Sequence, residues 1–466
     1  MYSLGFCGAL LGVVPSLLGP LQTLLLMLPL ILMGLTLAAR SLTSPLAWRE
    51  AIARLVFDVR NRPLKSCRYL LLAIAVPLVV WWVLQPVGGS TSALDPIVAV
   101  GNWPTFHADA ARTGKADLSG VGSDVELVWK YRDASILDRR PFASSPALAG
   151  DRVLIGSDNF NLYCLSLEDG VPLWTFEAQH PIFSSPVVFD GRVYVGEGLH
   201  YTQDAKLYCL DVVTGKVIWD FQTTSHTEST PAVSNGKVYF GAGDDGLYCL
   251  DAETGRLKWR FPDAHVDGGP LVHDGCLYFG SGYDTKALFC VDANSGQLVW
   301  KKDFAVPVWG APALADGKLF VGIGNGNFEE SDEHPQGAAL CLDPETGKEA
   351  WRFDKVTDGV LTSIAVSDNR AVFGSRDGGC YALDATTGQL VWRTDIEVPI
   401  LSSPAIAGKH VFLGTDDGLL FCLDLKDGHE VWSYDTNDDL MVFGDSDGRI
   451  QSSPAVVQGQ VIFGSS

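Results

Sequence analysis

The sequence predicts an all-β protein, an eight-bladed β-propeller of four-stranded antiparallel blades, because one unit of about 40 residues is repeated along its second two-thirds. The clearest copy spans residues 229–261, STPAVSNGKVYFGAGDDGLYCLDAETGRLKWRF. Seven copies begin at Ser144, Ser184, Ser229, Gly269, Gly310, Thr362 and Ser402, and a partial eighth begins at Ser452. A regularly spaced tryptophan marks the same period.

Each unit contains four short runs of Val, Tyr, Phe and Leu, which in the clearest copy are residues 230–233, 237–241, 247–251 and 257–261. The separators Asn235-Gly236, Asp245-Gly246 and Thr254-Gly255 supply the glycines that tight turns favour. Four strands joined by hairpins form one antiparallel sheet, so each unit predicts one blade.

A tryptophan follows a turn glycine by four residues in every full copy. We expect these side chains to pack between adjacent blades, where an aromatic ring buries on the order of 150–250 Å². The predicted structural tryptophans are Trp174, Trp219, Trp259, Trp300, Trp351, Trp392 and Trp432, together with Trp129, which lacks the preceding glycine.

The two ends of the repeat region predict how the ring closes. Residues 452–466 supply the first two strands of a blade, and residues 125–132 supply only a last strand. We therefore expect both ends to share the eighth blade, an arrangement that leaves no free sheet edge. A third strand is missing after IFGSS, which favours a C-terminus truncated at Ser466.

Four of the third-strand segments, LYCLDVVTGKVIW, LYCLDAETGRLKW, ALCLDPETGKEAW and CYALDATTGQLVW, resemble the repeat of the pyrroloquinoline-quinone-like (PQQ-like) propeller family. The resemblance covers roughly residues 103–466. It implies a propeller fold and two kinds of function: quinone-dependent alcohol dehydrogenases, and non-catalytic scaffolds such as the outer-membrane assembly lipoprotein. Residues 102–114, NWPTFHADAARTG, resemble the segment that precedes many such propellers, and we expect them to pack on the propeller.

The first 88 residues predict a membrane anchor with about two transmembrane helices. Residues 21–39 and 69–84 are uncharged and close to the length that spans a bilayer. The loop between them, residues 40–68, carries seven basic and two acidic residues and is therefore predicted to be cytoplasmic. A flexible linker, residues 89–101, then leads to the propeller, residues 102–466, on the extracytoplasmic (periplasmic) side of the cell membrane. A cleaved signal sequence is the alternative.

Net charge narrows the possible partners. Residues after 90 carry 27 basic and 53 acidic side chains, a net charge of −26. Nucleic acid is excluded as an expected partner because binding to phosphates requires the opposite sign. A cationic protein or peptide partner, a divalent ion or solubility alone fits this charge better.

The ten cysteines do not predict a disulfide framework. Six of them, Cys164, Cys209, Cys249, Cys290, Cys341 and Cys422, occupy one third-strand position in successive blades, too far apart for disulfides. We expect small buried thiols, with one cross-strand bond between Cys276 and Cys290 left open. The adjacent Cys-Cys pair of many quinone-dependent alcohol dehydrogenases is absent from the sequence.

The longest loops fall on one face of the predicted propeller, which carries the second-to-third-strand turns and the blade-to-blade connections. Loops on a rigid scaffold commonly carry function. The candidate residues at the channel mouth on this face are Phe183, Glu228, Asp267, Trp309 and Gln451. In the dehydrogenase branch, a tryptophan stacks on the quinone and acids bind Ca²⁺, so Trp309 with Glu228 or Asp267 could imitate that site. No ring of arginines and amides for the quinone carboxylates is evident, and no catalytic residue is assigned.

Histidines on the same face raise a second possibility. His180, His226 and His265 lie in successive connections, and His200 and His334 lie in insertions. Converging imidazoles could bind a transition metal, but propeller connections fan outward, so we assign no metal ligand. No resident cofactor is expected, with PQQ and Ca²⁺ as the open alternative.

The sequence therefore favours a membrane-anchored, extracytoplasmic propeller that acts as a protein-binding scaffold through its acidic, loop-rich face. The alternative is a PQQ- and Ca²⁺-dependent dehydrogenase of alcohols or sugars. A sensor domain is compatible but lacks an evident cytoplasmic output domain. The sequence does not require catalysis.

Overall fold

The structure is a computed structural model that describes residues 103–116, 125–132, 141–436 and 448–466. The predicted membrane anchor (residues 1–88), its basic loop (40–68) and the linker (89–101) lie outside the described residues. Within the described ranges there is no helix long and apolar enough to cross a membrane.

Strand β1 (Lys115–Ala116) precedes the first blade. Blade 1 consists of β2 (Ala147–Ala149), β3 (Arg152–Gly156), β4 (Asn161–Ser166) and β5 (Pro172–Glu177). Blade 2 consists of β6 (Val187–Phe189), β7 (Arg192–Gly196), β8 (Lys206–Asp211) and β9 (Val217–Gln222). Blade 3 consists of β10 (Ala232–Ser234), β11 (Lys237–Gly241), β12 (Leu247–Asp251) and β13 (Leu257–Phe261).

Blade 4 consists of β14 (Leu271–His273), β15 (Cys276–Gly280), β16 (Ala287–Asp292) and β17 (Leu298–Asp303). Blade 5 consists of β18 (Ala313–Ala315), β19 (Lys318–Gly324), β20 (Gly337–Leu342) and β21 (Glu349–Phe353). Blade 6 consists of β22 (Ala365–Ser367), β23 (Arg370–Gly374), β24 (Gly379–Asp384) and β25 (Leu390–Asp395). Blade 7 consists of β26 (Ala405–Ala407), β27 (His410–Gly414), β28 (Leu419–Asp424) and β29 (Glu430–Asp435).

The prediction of eight four-stranded blades is wrong: the described residues form seven. The last repeat forms only a two-stranded sheet, β30 (Ala455–Val457) and β31 (Gln460–Ile462). Residues 125–132, predicted as the outer strand of an eighth blade, have no strand structure. The physical reason is that an outer strand joins a blade through hydrogen bonds to a third strand, and among the described residues no third strand lies between β31 and residues 125–132.

The two-stranded sheet nevertheless lies between blade 7 and blade 1. Serine side chains form a chain of hydrogen bonds through it: the Ser403 amide donates to Ser453 Oγ at 2.9 Å, and the Ser453 amide donates to Ser145 Oγ at 2.8 Å. The Phe142 amide also donates to the Ser465 carbonyl at 3.3 Å. Ser145, Ser403 and Ser453 lie in SSPA motifs, residues 144–147, 402–405 and 452–455, which are thus part of the inner framework of the ring.

Adjacent blades are joined by the repeat tryptophans. Seven of the eight donate their indole N–H to a backbone carbonyl of the following repeat at 2.9–3.3 Å: Trp129, Trp174, Trp219, Trp259, Trp300, Trp351 and Trp392. The indole also covers the next turn glycine. At Gly428 φ is +75°, and an added Cβ would lie 2.5 Å from the Trp392 ring. The glycine is required both by the turn and by the indole packed on it.

Residues 103–116 lie along the inner strands of the ring and form a segment that we call the central segment. Its carbonyl groups accept hydrogen bonds of 2.7–2.9 Å from the inner strands of five blades, through the amides of Leu148, Val188, Leu314, Val366 and Ile406. β1 also pairs in parallel with β26. The central segment therefore ties blades 1, 2, 5, 6 and 7 together.

Arg112 extends this network to the remaining two blades. Its buried guanidinium donates to the carbonyls of Thr230 and Pro231, which precede β10, and of Pro270, which precedes β14, at 3.2–3.3 Å. Burial lowers the pKa of Arg112 to about 9, against a smaller opposing effect of Asp109. One side chain thus satisfies carbonyl groups of blades 3 and 4.

We expect Arg112→Met to lower the free energy of unfolding by about 2 kcal/mol. The variant removes three charge-assisted hydrogen bonds, but it also removes the cost of burying a charge. Urea unfolding of the full chain in detergent micelles measures the effect. Arg256→Met, in an exposed turn, is the matched control, and an equal response of the two variants would contradict the role of Arg112.

The eight cysteines that the structure describes are unpaired, and all but Cys276 are buried. In the register of β15 and β16, Cys276 lies opposite Asp292, while Cys290 lies opposite Tyr278. Burial raises the pKa of the seven buried thiols, to about 12 for Cys164. Buried neutral thiols fill the sheet interior, and the possible Cys276–Cys290 bond is not formed.

Candidate functional site

One face of the propeller carries both the second-to-third-strand turns and the connections between blades, and we call it the loop face. Turns and connections contact each other there: Gly243 pairs with Val266, and the Gly282 amide donates to the His265 carbonyl at 3.1 Å. The repeats contain three insertions, residues 199–204, 283–286 and 325–336, which follow β7, β15 and β19, and all three belong to this face.

The longest insertion, between β19 and β20, is held in place by neighbouring blades. Arg376 of blade 6 donates from both terminal nitrogens, at 2.7 Å, to the carbonyls of Asn327 and Glu329. Tyr283 of blade 4 donates its hydroxyl to the Gly326 carbonyl, also at 2.7 Å. The insertion is therefore a structured part of the loop face.

Each insertion exposes one large aromatic side chain to solvent. Tyr201 is 81% exposed, Tyr283 46% and Phe328 44%. The longest insertion adds four exposed acidic residues, Glu329, Glu330, Asp332 and Glu333. Aromatic groups on an acidic, preformed surface are a combination typical of protein-binding sites.

The channel mouth on the loop face holds a cluster of three imidazoles around one carboxylate. His200 comes from the insertion between β7 and β8, His226 from the connection between blades 2 and 3, and His265 and Asp267 from the connection between blades 3 and 4. The Nε2 atom of His226 lies 2.9 Å from Asp267 Oδ1, and that of His265 lies 2.8 Å from Asp267 Oδ2. His200 Nε2 lies 3.7 Å from the same carboxylate. Chain segments from three blades thus converge on Asp267.

The other ring nitrogen of each histidine also has a neighbour. His265 Nδ1 donates to Asp244 at 2.6 Å, and His200 Nδ1 lies 3.3 Å from a Glu228 oxygen. His226 Nδ1 lies 3.3 Å from Ser225 Oγ. These outer partners fix the orientation of the rings.

The Asp267 carboxylate is largely buried and yet stays in its charged form. Burial acts to raise the pKa of Asp267, but hydrogen bonds from His226 and His265 outweigh it and hold this pKa well below its usual range. The hydrogen bond to Asp267 raises the pKa of His265 to about 9, and the contact with Glu228 raises that of His200. His265 therefore donates from both nitrogens as an imidazolium.

The structure brings together only some of the predicted mouth residues. Glu228 and Asp267 contact the histidine cluster. Trp309 packs edge-to-face on Tyr283, with ring centroids 5.2 Å apart, and its indole nitrogen is buried without a hydrogen-bond partner in the described residues. Gln451 donates to Asp416 at 3.1 Å, and Phe183 is half-buried.

The profile of the family described as outer membrane protein assembly factor BamB matches residues 115–201, 190–267, 263–334 and 335–466. The chain belongs to the BamB family. The resemblance to PQQ-like repeat propellers is thereby confirmed.

Solved structures agree with this fold at low sequence identity. BamB from Moraxella catarrhalis is 18% identical with a TM-score of 0.56, over 69% of this chain and 90% of that one. Quinohemoprotein alcohol dehydrogenase from Comamonas testosteroni is 14% identical with a TM-score of 0.61, over 77% and 76%. A europium-containing methanol dehydrogenase is 15% identical with a TM-score of 0.59, over 76% and 87%. No curated protein sequence matches the chain.

The mouth of this BamB-family chain does not fit a quinone cofactor. The residues that precede the inner strands include two acids and no cation, whereas the cofactor carries three carboxylates to neutralise. The nearby Arg376 has both terminal nitrogens bound to backbone carbonyls. Asp267, a candidate Ca²⁺ ligand, is surrounded by three imidazole nitrogens, whereas Ca²⁺ prefers a shell of oxygen ligands.

Several residues of the site were not predicted from the sequence. These are Asp244 and Ser225, which orient the histidines, and the exposed aromatics of the insertions. An aromatic residue inside a loop, outside any strand alternation, is the signal that could have identified Tyr201 and Phe328. His180 and His334, which the sequence suggested with the others, are not part of the cluster.

Proposed function

We propose that this BamB-family propeller is a membrane-anchored, extracytoplasmic scaffold that binds a cationic protein partner on its loop face. The observation that carries the proposal is the presence of exposed Tyr201, Tyr283 and Phe328 in three separate insertions of one face. Large aromatic groups that provide much contact area at low entropic cost are common centres of protein interfaces.

Charge favours a basic partner. The four acidic residues around Phe328 and the net charge of −26 after residue 90 create a negative field over the loop face. Such a field speeds association with a basic surface and makes the affinity depend on salt. Hydrogen bonds from Tyr283 and Arg376 hold the longest insertion in place, so this insertion loses little conformational entropy when a partner binds.

Membrane attachment and the periplasmic location are part of the proposal. They rest on the apolar runs 21–39 and 69–84, on the basic loop between them, and on a family named for assembly of outer membrane proteins. We expect protease added outside spheroplasts to digest the propeller. A propeller protected from that protease would contradict the location.

The test of partner binding uses the full chain expressed in its own membrane. We expect Tyr201→Ala and Phe328→Ala each to weaken retention of a copurifying basic protein by about tenfold, because each removes a central aromatic contact. Quantitative mass spectrometry of the copurified proteins identifies the candidate. Titration of that purified protein then gives the affinity and its salt dependence.

Phe189→Ala is the matched control, since Phe189 is 47% exposed but ends β6 on the opposite face. Its variant should retain the partner. Equal losses from Phe189→Ala and Tyr201→Ala would contradict the loop face as the binding surface. Saturable binding of PQQ with Ca²⁺, followed by alcohol or sugar oxidation, would support the dehydrogenase alternative instead.

A further inference from the structure

The histidine cluster at the mouth has the composition of a metal site. His200, His226, His265 and Asp267 each offer one ligand atom, and these atoms all lie within 4.8 Å of one another. No metal ligand was predicted from the sequence, because blade connections are expected to fan outward. Here two of the connections turn inward, and their imidazoles meet on one carboxylate.

The turn that carries His200 explains how an insertion reaches the mouth. The Thr202 amide donates to the Leu199 carbonyl at 2.6 Å, and the Leu199 amide donates to the Thr202 hydroxyl at 2.9 Å. Gly198, with φ of +99°, starts the reversal. This closed turn places the His200 ring 4.8 Å from that of His226, measured between centroids.

A second observation that supports a metal site is the polar group beside the other ring nitrogen of each histidine. Histidines that bind metals commonly use their other nitrogen on a carboxylate or another polar group, which fixes the ring and makes it a better ligand. His265 has Asp244, His200 has Glu228, and His226 has Ser225 in that position. All three rings thus present Nε2 toward Asp267, while their Nδ1 atoms face away from it.

We propose that His200, His226, His265 and Asp267 bind a divalent transition-metal ion, with Zn²⁺ the best fit. Three imidazoles and one carboxylate are ligands that suit zinc, whereas calcium and magnesium prefer oxygen-only sites. Four protein ligands complete a tetrahedron, so the site is structural rather than catalytic. The ion would join the loops of blades 2, 3 and 4 across the mouth.

Zinc bonds of about 2.0–2.1 Å place the ligand atoms of a tetrahedron roughly 3.3 Å apart. His226 and His265 would therefore lose the protons that they share with Asp267 and move slightly away from it. His200 Nε2, now 3.7 Å from Asp267, would move closer. His226 and Asp267 are mostly buried, but the His200 side chain is 57% exposed. His200 is therefore the ligand that closes on the ion. Metal binding would also fix Tyr201, the next residue, without depending on whether the loop face binds a protein.

The test is a titration of the full chain in detergent micelles, stripped with a chelator and supplied with ZnCl₂ alone. We expect one tightly bound equivalent, a raised melting temperature, and no competition from Ca²⁺. Replacing zinc with Co²⁺ should give the absorption spectrum of a tetrahedral complex. His200→Ala should weaken binding at least 100-fold and leave the melting temperature of the metal-free protein unchanged, because His200 is exposed.

Glu228→Gln should weaken binding by about 10–100-fold through the orientation of His200. Two controls separate the site from surface binding. His334→Ala changes a histidine of the loop face outside the cluster, and His429→Ala disrupts the exposed group Asp424, Asp427 and His429. Both should bind zinc like the parent chain. Absence of zinc binding, or equal binding by His200→Ala and the parent, would overturn the proposal.

Discussion

Trp392→Ala should lower the free energy of unfolding by about 3–5 kcal/mol, the range for removal of a buried aromatic side chain. Trp392 is 7% exposed between blades 6 and 7, where its indole N–H donates to the Leu425 carbonyl at 2.9 Å. The variant leaves a cavity beside Gly428 and an unsatisfied carbonyl. Urea unfolding of the full chain in detergent micelles, followed by circular dichroism, gives the change in midpoint.

Two further variants test the cause of that loss. Leu390→Ala removes a side chain of the same strand that is 46% exposed, so its midpoint should stay close to that of the parent. Trp392→Phe keeps much of the packing and loses the hydrogen bond, so we expect a smaller loss of about 1–2 kcal/mol. If Trp392→Ala and Leu390→Ala had the same midpoint, the packing of tryptophans between blades would not stabilise the ring.

Local signals in the sequence were sufficient to predict the four-stranded blade, but not how the blades close into a ring. Turn glycines and tryptophans such as Gly428 and Trp392 are set by contacts within one blade and to the next, and these repeat at a fixed spacing. Closure depends instead on pairing between the two ends of the chain. Residues 125–132 have the sequence of an outer strand, but they do not form one, and the described part of the chain places no third strand beside them, so the expected eighth blade is not formed.

The candidate site shows the same contrast between features that local sequence predicts and features that depend on contacts between distant segments. The alignment of repeats placed Glu228 and Asp267 at the mouth, because both precede an inner strand. It could not place His226 on the carboxylate of Asp267, 41 residues away, since the direction of a connection is set by its contacts with neighbouring turns. The inward position of His200 depends on a turn inside an insertion, for which no other repeat provides a template.

The two proposals concern neighbouring parts of one face. The exposed aromatics lie in the insertions, while the histidine cluster lies at the mouth between the connections. Tyr201 and His200 are adjacent, so a bound ion would restrict the loop that presents Tyr201. Loss of zinc binding with an intact partner affinity, or the reverse, would separate the two roles.

The stability of the propeller should fall by about 3 kcal/mol more than that of a His107→Gln variant as the pH is lowered from above 6.5 to about 4. His107 is buried in the central segment, and its Nδ1–H donates to the Arg112 carbonyl at 3.0 Å. Burial is the main cause that lowers its pKa from 6.5 to about 4, and the nearby Arg112 charge adds to the effect.

The direction of this pH effect depends on whether the folded or the unfolded state takes up the proton at the higher pH. Below pH 6.5 the unfolded chain protonates His107, while the folded chain keeps the ring neutral until about pH 4, so the proton favours unfolding throughout this range. Protonation of carboxylates elsewhere in the protein also lowers its free energy of unfolding on acidification. That loss is common to both proteins and cancels in the comparison. Urea unfolding at a series of pH values should therefore give two curves that run parallel above pH 7 and converge as the pH falls. Curves that stay parallel down to pH 4 would show that His107 is not held neutral in the ring, and that the central segment is less tightly packed than its hydrogen bonds to five inner strands indicate.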